Sequence, residues 1–318
     1  MTTNKRKYSV ALVNAIENSS KDYMSTRGDT DYSCTQLIDS PTLRRMCVLC
    51  ADDIIEDVDD LYFTIFGSIL HKILEDSVDE EDLAEQRWFA EVLGKKISAM
   101  GDHLAGDGTL SDYKYTSVFK IKKGLGNVDW ERQLNVLAYL ARLDGYDVDK
   151  IQIIAYPKDW RKSESLRTPD YPGKETKIEF PLWTMKEAEK YIEERVELHM
   201  DMDEIDDPAD LPICSQSDRW KDDDKWAVMK LDAKRANRVL ESEEEAAAHM
   251  KGLEEKNPKD IYIIEFRKGT AKRCEEYCKA RYVCPYSPHV EKENKLDAKL
   301  DAIIAKKAKT KKKKGKKK

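Results

Sequence analysis

The chain has 318 residues, 40% hydrophobic and 37% charged, with a formal charge of −6, a length that suits one elaborated core or a core plus a small module. Its mean hydropathy of −0.72, and the lack of an apolar run near the roughly 20 residues of a spanning helix, exclude such a membrane span; the hydrophobic share is too high for wholesale disorder. The start, MTTNKRKYSV, is basic but is followed by no apolar run or small-residue cleavage site, so a cytoplasmic location is expected, with no membrane partner.

Residues 1–30 are a polar segment, apart from a short amphipathic piece around Val10 to Ile16. Ser33 to Leu43 reads as a cap and short helix, and Tyr62 to Glu75 as a clear helix. Leu83 to Leu93 places Leu83, Trp88, Phe89 and Val92 near one helical face, with Gly94 as a stop, which predicts a second helix. Lys96 to Ser117 carries the turn sequence Ala105-Gly-Asp-Gly108 between strand-like flanks, the pattern of a β-hairpin. A helix from about Trp130 to Leu143 and a buried strand from Lys150 to Tyr156 follow, so the core, residues 31–200, is α/β.

Residues 157–180 are rich in loops, and Thr184 to Met200 is amphipathic and helical. Residues 201–219 read as an acidic linker, and 220–270 as a small β-β-α-β module. Its strands are Trp226 to Lys230, Arg235 to Leu240 and Ile261 to Phe266, and its helix starts at Ser242 with Glu245 three residues on. A cysteine cluster occupies 271–288, expected to pack back on the core; a helix near Lys295 to Ala305 and a basic tail fill 289–318. The stretch from Lys306 to Lys318 holds ten lysines and no acid, so the rest of the chain carries −16. An acidic body suits cation binding through carboxylates, and a basic tail can hold an anionic polymer nearby. A solvated, solubilising end is the plainer reading of the same run.

Chemistry concentrates in the hairpin. With the turn centred on Asp107, Asp102 and Asp112 face each other across the ladder, with Cβ atoms roughly 4.5 to 5.5 Å apart. Two carboxylates so placed repel, and a shared divalent cation would offset their charge. Lys114 shares the face of Asp112 because strand side chains alternate. Two acids and an ammonium suit metal-assisted phosphodiester hydrolysis, whereas a surface hairpin with solvated charges is the bland alternative. His71, inside the Tyr62 to Glu75 helix, could complete a metal's ligands, and Glu85 and Arg87 add an acid and a cation.

Asp102 and Asp112-Tyr-Lys114, preceded by Gly67-x3-His71 and followed by Trp130-Glu-Arg-Gln133-Leu-Asn135, resemble the PD-(D/E)XK nuclease superfamily. Within it the chain looks most like the RecB-like and phage-type exonucleases, including the nuclease of CRISPR spacer acquisition. The likeness spans about Ser33 to Pro285. It implies a restriction-endonuclease-like core, a central mixed sheet flanked by helices, and a Mg²⁺- or Mn²⁺-dependent deoxyribonuclease, an exonuclease rather than an endonuclease, acting on DNA ends or single strands in phage or bacterial recombination and end processing. It also implies His71, Asp102, Asp112 and the Tyr113 carbonyl as metal ligands, Lys114 as the water-orienting lysine, and Gln133 and Glu85 as further catalytic residues. DNA, and a recombination or single-strand-annealing protein, are the partners it suggests; a non-catalytic DNA-binding or assembly protein on the same fold is the alternative. The chain departs from the pattern with Asp112 where many members have Glu, and with Leu137 four residues after Gln133 where an aromatic is common.

Seven cysteines, at 34, 47, 50, 214, 274, 278 and 284, form an odd set that argues against a disulfide framework. Cys274-x3-Cys278-x5-Cys284-Pro285 is similar to the triplet with which some RecB-like nucleases hold a [4Fe-4S] cluster, a fourth cysteine coming from before the core. Here that ligand would be Cys34, Cys47 or Cys50. Zinc, or unligated buried thiols, remain the other readings of these residues.

Overall fold

A computed structural model describes residues 2–292; the sequence-predicted helix at Lys295 to Ala305 and the lysine run lie outside them. The chain divides into two units, Met1–Pro212 and Ile213–Lys318. Among the described residues no helix is long and apolar enough to cross a membrane.

The first unit is α/β, a central mixed sheet flanked by helices. Its elements begin with β1 (Thr2–Thr3), α1 (Val10–Arg27), β2 (Tyr32–Ser33), α2 (Cys34–Ile38), α3 (Pro41–Leu49), β3 (Glu56–Asp57) and α4 (Val58–Glu75). The long strands β4 (Leu83–Val92), β5 (Lys95–Leu104) and β6 (Thr109–Thr116) follow, then α5 (Val118–Lys122), α6 (Val128–Leu143), β7 (Lys150–Pro157), α7 (Lys162–Ser165), β8 (Thr176–Phe180) and α8 (Met185–Asp203). The main sheet runs β2-β5-β6-β7-β8, with β4 paired to the β5 edge. Strands β6 and β7 are parallel, and β7 reads as a near-continuous apolar run because Ile151, Ile153 and Ala155 are fully buried in mid-sheet. Helix α6 packs against β4 through β7; every residue from Leu134 to Ala141 is buried, which is why that stretch is apolar on all sides but for the hydrogen-bonded Asn135. Helix α4 packs against β5 and β6.

Three sequence-based expectations change here. The segment read as a helix at Leu83 to Leu93 is strand β4, antiparallel to β5 from Leu83↔Leu104 to Val92↔Lys95. Gly94 is not a helix stop. With φ of 52° at Leu93 and 73° at Gly94, the pair forms the two-residue turn whose left-handed backbone matches strand twist, and ladder pairing overrides the helix-compatible spacing. Residues 1–30 are not merely a polar lead. Helix α1 is capped by Ser9, whose side chain accepts from the Leu12 amide, and it seats Ile16 against Val58 and Ile65 of α4. The 201–219 stretch read as a linker begins helical, because Asp203 at the end of α8 accepts from the Tyr32 hydroxyl at 2.7 Å and pairs with Arg44.

The second unit holds β9 (Lys225–Lys230), β10 (Arg238–Leu240), α9 (Glu243–Lys256) and β11 (Tyr262–Arg267). Strand β9 lies between β10 and β11, both antiparallel to it, and α9 covers them over a core of Val228, Leu240 and Ala246. Ser242 caps α9 by accepting from the Glu245 amide at 3.1 Å. Beyond β11 a single π-turn, Arg273–Tyr277, leads into turns, and the described residues end in a helical stretch over 288–292.

Candidate active site

The hairpin of β5 and β6 is paired at His103↔Ser111 and Leu104↔Leu110, the register centred on Asp107 that loop symmetry suggests. Past His103 the bond pattern changes. The Tyr113 amide donates not to a ladder carbonyl but to Asp102 Oδ2, at 2.6 Å, so one side chain takes over the role of the β5 backbone. The Asp102 carboxylate is thereby fixed at a point where the two strands would otherwise leave a buried N–H unpaired. On its far edge β6 keeps full parallel pairing with β7 from Thr109↔Lys150 to Thr116↔Pro157, which makes it a rigid platform for Asp112 and Lys114.

The ligand atoms of His71, Glu85 and Asp102 all lie within 4.8 Å of one another. His71 comes from α4, with Nδ1 3.5 Å from Glu85 Oε1 and 3.4 Å from Asp102 Oδ1. Its Nε2 meets the Tyr113 carbonyl at 3.0 Å. Burial alone pulls the His71 pKa down, but hydrogen bonds with Asp102 and Glu85 and the charges of Asp102 and Asp112 override it and hold the group at about 10. An imidazolium thus stands where a small cation would meet the same oxygens. Glu85 comes from β4, not from a helix; the ladder pairs its neighbours, Ala84↔His103 and Gln86↔Gly101, and skips Glu85, which alone in the Leu83–Gln86 stretch has a left-handed backbone, φ 47°.

Asp112 stands beside this trio rather than within it. Its Oδ1 accepts from Gln133 Nε2 of α6 at 2.8 Å, and its Oδ2 is 2.7 Å from Lys114 Nζ. That second oxygen is buried, and no donor among the described residues reaches it at a proper hydrogen-bonding angle. Burial raises the Asp112 pKa to about 6, the Lys114 charge opposing and the Asp102 charge adding to the shift. Burial acts to neutralise Lys114 as well, but the Asp112 and Asp102 charges overcome it and keep the ammonium charged. The expected face-to-face sharing of one ion by Asp102 and Asp112 is therefore modified. Asp102 is bound sideways to β6 and pairs with Glu85 and His71, while Asp112 is oriented by Lys114 and Gln133.

A groove of about 810 Å³ opens over these groups, lined among others by His71, Glu85, Asp102, Asp112, Lys114 and Gln133. All the residues singled out as catalytic from the sequence converge on it. Of the set read as metal ligands, the Tyr113 carbonyl is engaged by His71. The donors suit a hard divalent cation: carboxylate oxygens and one imidazole, with one buried carboxylate oxygen short of a well-directed partner. Three carboxylates against one lysine also leave the site acidic unless His71 is protonated or an ion is held.

Sequence reasoning missed two contributors. Helix α1 lends Ala15, Asn18 and Ser19 to the groove, a role invisible in a segment that looks merely polar. Cys34, at the start of α2, is buried beneath the site and donates to the Gln133 carbonyl at 3.8 Å. Burial, together with the Asp112 charge, pushes its thiol up to about 12, and Cys34 packs within the first unit's core.

No family model matches the chain, and no curated protein matches it. Among solved structures, the crystal structure of SSO0001 is similar to it at 18% identity, covering 61% of this chain and 87% of that one with a TM-score of 0.43.

Proposed function

We propose that the first unit is a Mg²⁺- or Mn²⁺-dependent deoxyribonuclease with a PD-(D/E)XK-type core, removing nucleotides from DNA ends or single strands. The observation that carries this reading is the convergence of His71, Glu85 and Asp102 ligand atoms within 4.8 Å beside the Asp112–Lys114 pair, in an open groove. Glu85, Asp102, Asp112 and His71 would hold the ion, which supplies Lewis-acid polarisation of the phosphodiester and acidifies water. His71 must give up its proton to serve as a ligand, and the carboxylates that now favour its charged form would then face the ion instead.

As an ammonium, Lys114 would donate hydrogen bonds, orienting an attacking water and meeting the negative charge that grows on the phosphoryl oxygens. Asp112 fixes that ammonium from one oxygen, and Gln133 fixes Asp112 from the other. Water adds across the P–O bond, so one fragment leaves with a hydroxyl and the other with a phosphate monoester.

The test is release of label from end-labelled linear DNA in Mg²⁺ or Mn²⁺. The wild type should degrade the DNA, while Asp102→Asn and Lys114→Ala should each lower the rate by about 10²-fold or more with unchanged circular dichroism. A wild type that binds DNA but cleaves it with neither metal would replace this reading with that of a DNA-binding assembly protein.

A further inference from the structure

Cys47, Cys50, Cys274, Cys278 and Cys284 are not gathered as ligands: among the described residues no three cysteine sulfurs all lie within 4.8 Å of one another. The feature that hydrolysis itself leaves unused is the surface of the first unit where β6 ends. From Tyr113 to Val128 the chain holds four lysines, Lys114, Lys120, Lys122 and Lys123, and no acid. Against a charge of −16 outside the C-terminal lysine run, this is a local reversal of sign, a field that draws a polyanion to one face.

The segment is anchored from within. Val118 and Ile121 form the buried side of α5. Ser117 caps the helix by accepting from the Lys120 amide at 3.2 Å, and the Val118 amide donates to Asp159 Oδ1 at 2.7 Å, which ties α5 to the chain leaving β7. Asn127 is buried, and its side-chain amide donates to the carbonyls of Lys120 at 3.0 Å and Gly124 at 2.8 Å, closing the turn after α5. Held this way, the segment leaves Phe119 81% exposed, with Leu125 and Val128 exposed as well. A phenyl ring on so rigid a support forgoes the burial that phenylalanine usually finds.

Cations and rings alternate around it. Lys122 Nζ lies 5.6 Å from the Tyr171 ring, Tyr171 meets Trp160 edge-on at 6.4 Å, and Lys174 Nζ lies 5.1 Å from Trp160. Lys158, whose amide donates to the Thr116 carbonyl at 2.7 Å, places Nζ 3.9 Å from the Phe63 ring of α4. Thr116 is two residues past Lys114, about 7 Å along the strand, so this strip continues from the edge of the groove. Rings and ammonium groups together fit one class of ligand. An exposed ring stacks on the face of an unpaired base, which a duplex keeps inside its own stack, while ammonium groups meet phosphates whatever the sequence. Protein interfaces, by contrast, are depleted in lysine.

We propose that Phe119, with Lys122, Lys123 and Lys158, holds single-stranded DNA on its approach to Lys114. This rests on the nuclease reading for its substrate and narrows that substrate to an unpaired strand, with Phe119 against a base and the lysines against phosphates.

The test is fluorescence anisotropy of the full chain in EDTA, on a labelled oligonucleotide either single-stranded or annealed to its complement. Phe119→Ala should weaken single-strand binding about fivefold or more while leaving duplex binding within about twofold of wild type, and Phe119→Trp should keep both. The double variant Lys122→Gln, Lys123→Gln should flatten the slope of log K against log salt on the single strand by about 1.4, at about 0.7 per phosphate. Because Phe119 is exposed, its variants should share the wild-type urea midpoint. Should Phe119→Ala not fold, the lysine pair decides, an unchanged slope sinking the idea. Phe119→Ala binding both forms as the wild type does, or losing both equally, would overturn the proposal. A wild type that binds neither form would overturn it too and leave the strip as a surface for a protein partner. Since these readings are taken without divalent metal, they stand apart from cleavage: a chain that binds through Phe119 but leaves DNA intact in Mg²⁺ and Mn²⁺ loses the nuclease reading alone, and one that cleaves while Phe119→Ala binds normally loses only the strip.

Discussion

Glu85 shows how one residue serves the site at the expense of its strand. Its neighbours in β4 are extended and paired to β5, yet Glu85 has a φ of 47°, a conformation that costs a non-glycine residue roughly 1–2 kcal/mol. In return its carboxylate comes within reach of His71 Nδ1, beside Asp102. The strain, together with the repulsion among Glu85, Asp102 and Asp112, is what a bound cation or the His71 imidazolium offsets. Glu85→Gly should therefore separate stability from function. Measured without divalent metal, the urea midpoint should stay level or rise, by up to about 1 kcal/mol once the entropic cost of glycine is set against the relieved strain. Mn²⁺ affinity, measured by calorimetry, should fall about tenfold or more. A variant that loses stability while keeping its Mn²⁺ affinity would show that Glu85 is a structural residue and no ligand.

At the scale of elements, α8 holds the first unit's helices together around a histidine that stays neutral. Ala188, Ile192, Val196 and His199 form its buried face. His199 accepts from Arg44 Nε at 2.9 Å through Nδ1 and donates to the Leu37 carbonyl at 3.1 Å through Nε2. Around it stand Arg195, which donates to the Leu37 carbonyl at 2.8 Å, Asp203, and the Tyr32 ring at 5.2 Å. Burial, with the Arg44 and Arg195 charges adding and the Leu37 hydrogen bond and Asp203 opposing, lowers the His199 pKa from 6.5 to about 4. A histidine whose folded pKa is depressed binds its proton first in the unfolded chain, so it removes stability as pH falls from about 6.5 toward about 4, by ~3 kcal/mol in all. His199→Gln, which keeps a donor and an acceptor, should have a flatter dependence of urea midpoint on pH between 7 and 4.5; parallel wild-type and variant curves would refute the neutral-histidine account. The sequence foretold α8 as an element, and the β5–β6 register too, because amphipathic periods and loop symmetry are local signals. It misled at β4, where Leu83, Trp88, Phe89 and Val92 also fit a helical face and only pairing with β5 decides between the two periods. Lys114 and Gln133 were legible as site residues from motif spacing. The bond from the Tyr113 amide to Asp102 was not, because it exists only where two strands part company.

For the molecule as a whole the balance of charge sets how DNA could be held. With the ten lysines of 306–318 set aside, the chain carries −16, and the candidate groove is lined by Glu75, Glu85, Asp102 and Asp112. A polyanion approaching such a body is repelled at the Debye length of about 8 Å that applies at physiological salt. An ion held at the candidate site would offset this only locally, whereas a lysine run gains by releasing counterions from each phosphate it neutralises. If about half of the run engages single-stranded DNA, the slope of log K against log salt should contain a tail contribution of roughly −3 to −4, at about −0.7 per phosphate. Removing residues 306–318 should therefore weaken binding at 50 mM salt far more than at 300 mM, and flatten the slope by about that amount, as read by fluorescence anisotropy on a labelled oligonucleotide. Calcium in place of magnesium would permit the measurement without assuming that cleavage is slow, provided intact oligonucleotide is confirmed afterwards on a gel. Identical slopes with and without the lysines would mean that contacts to DNA reside on the folded units despite their negative charge.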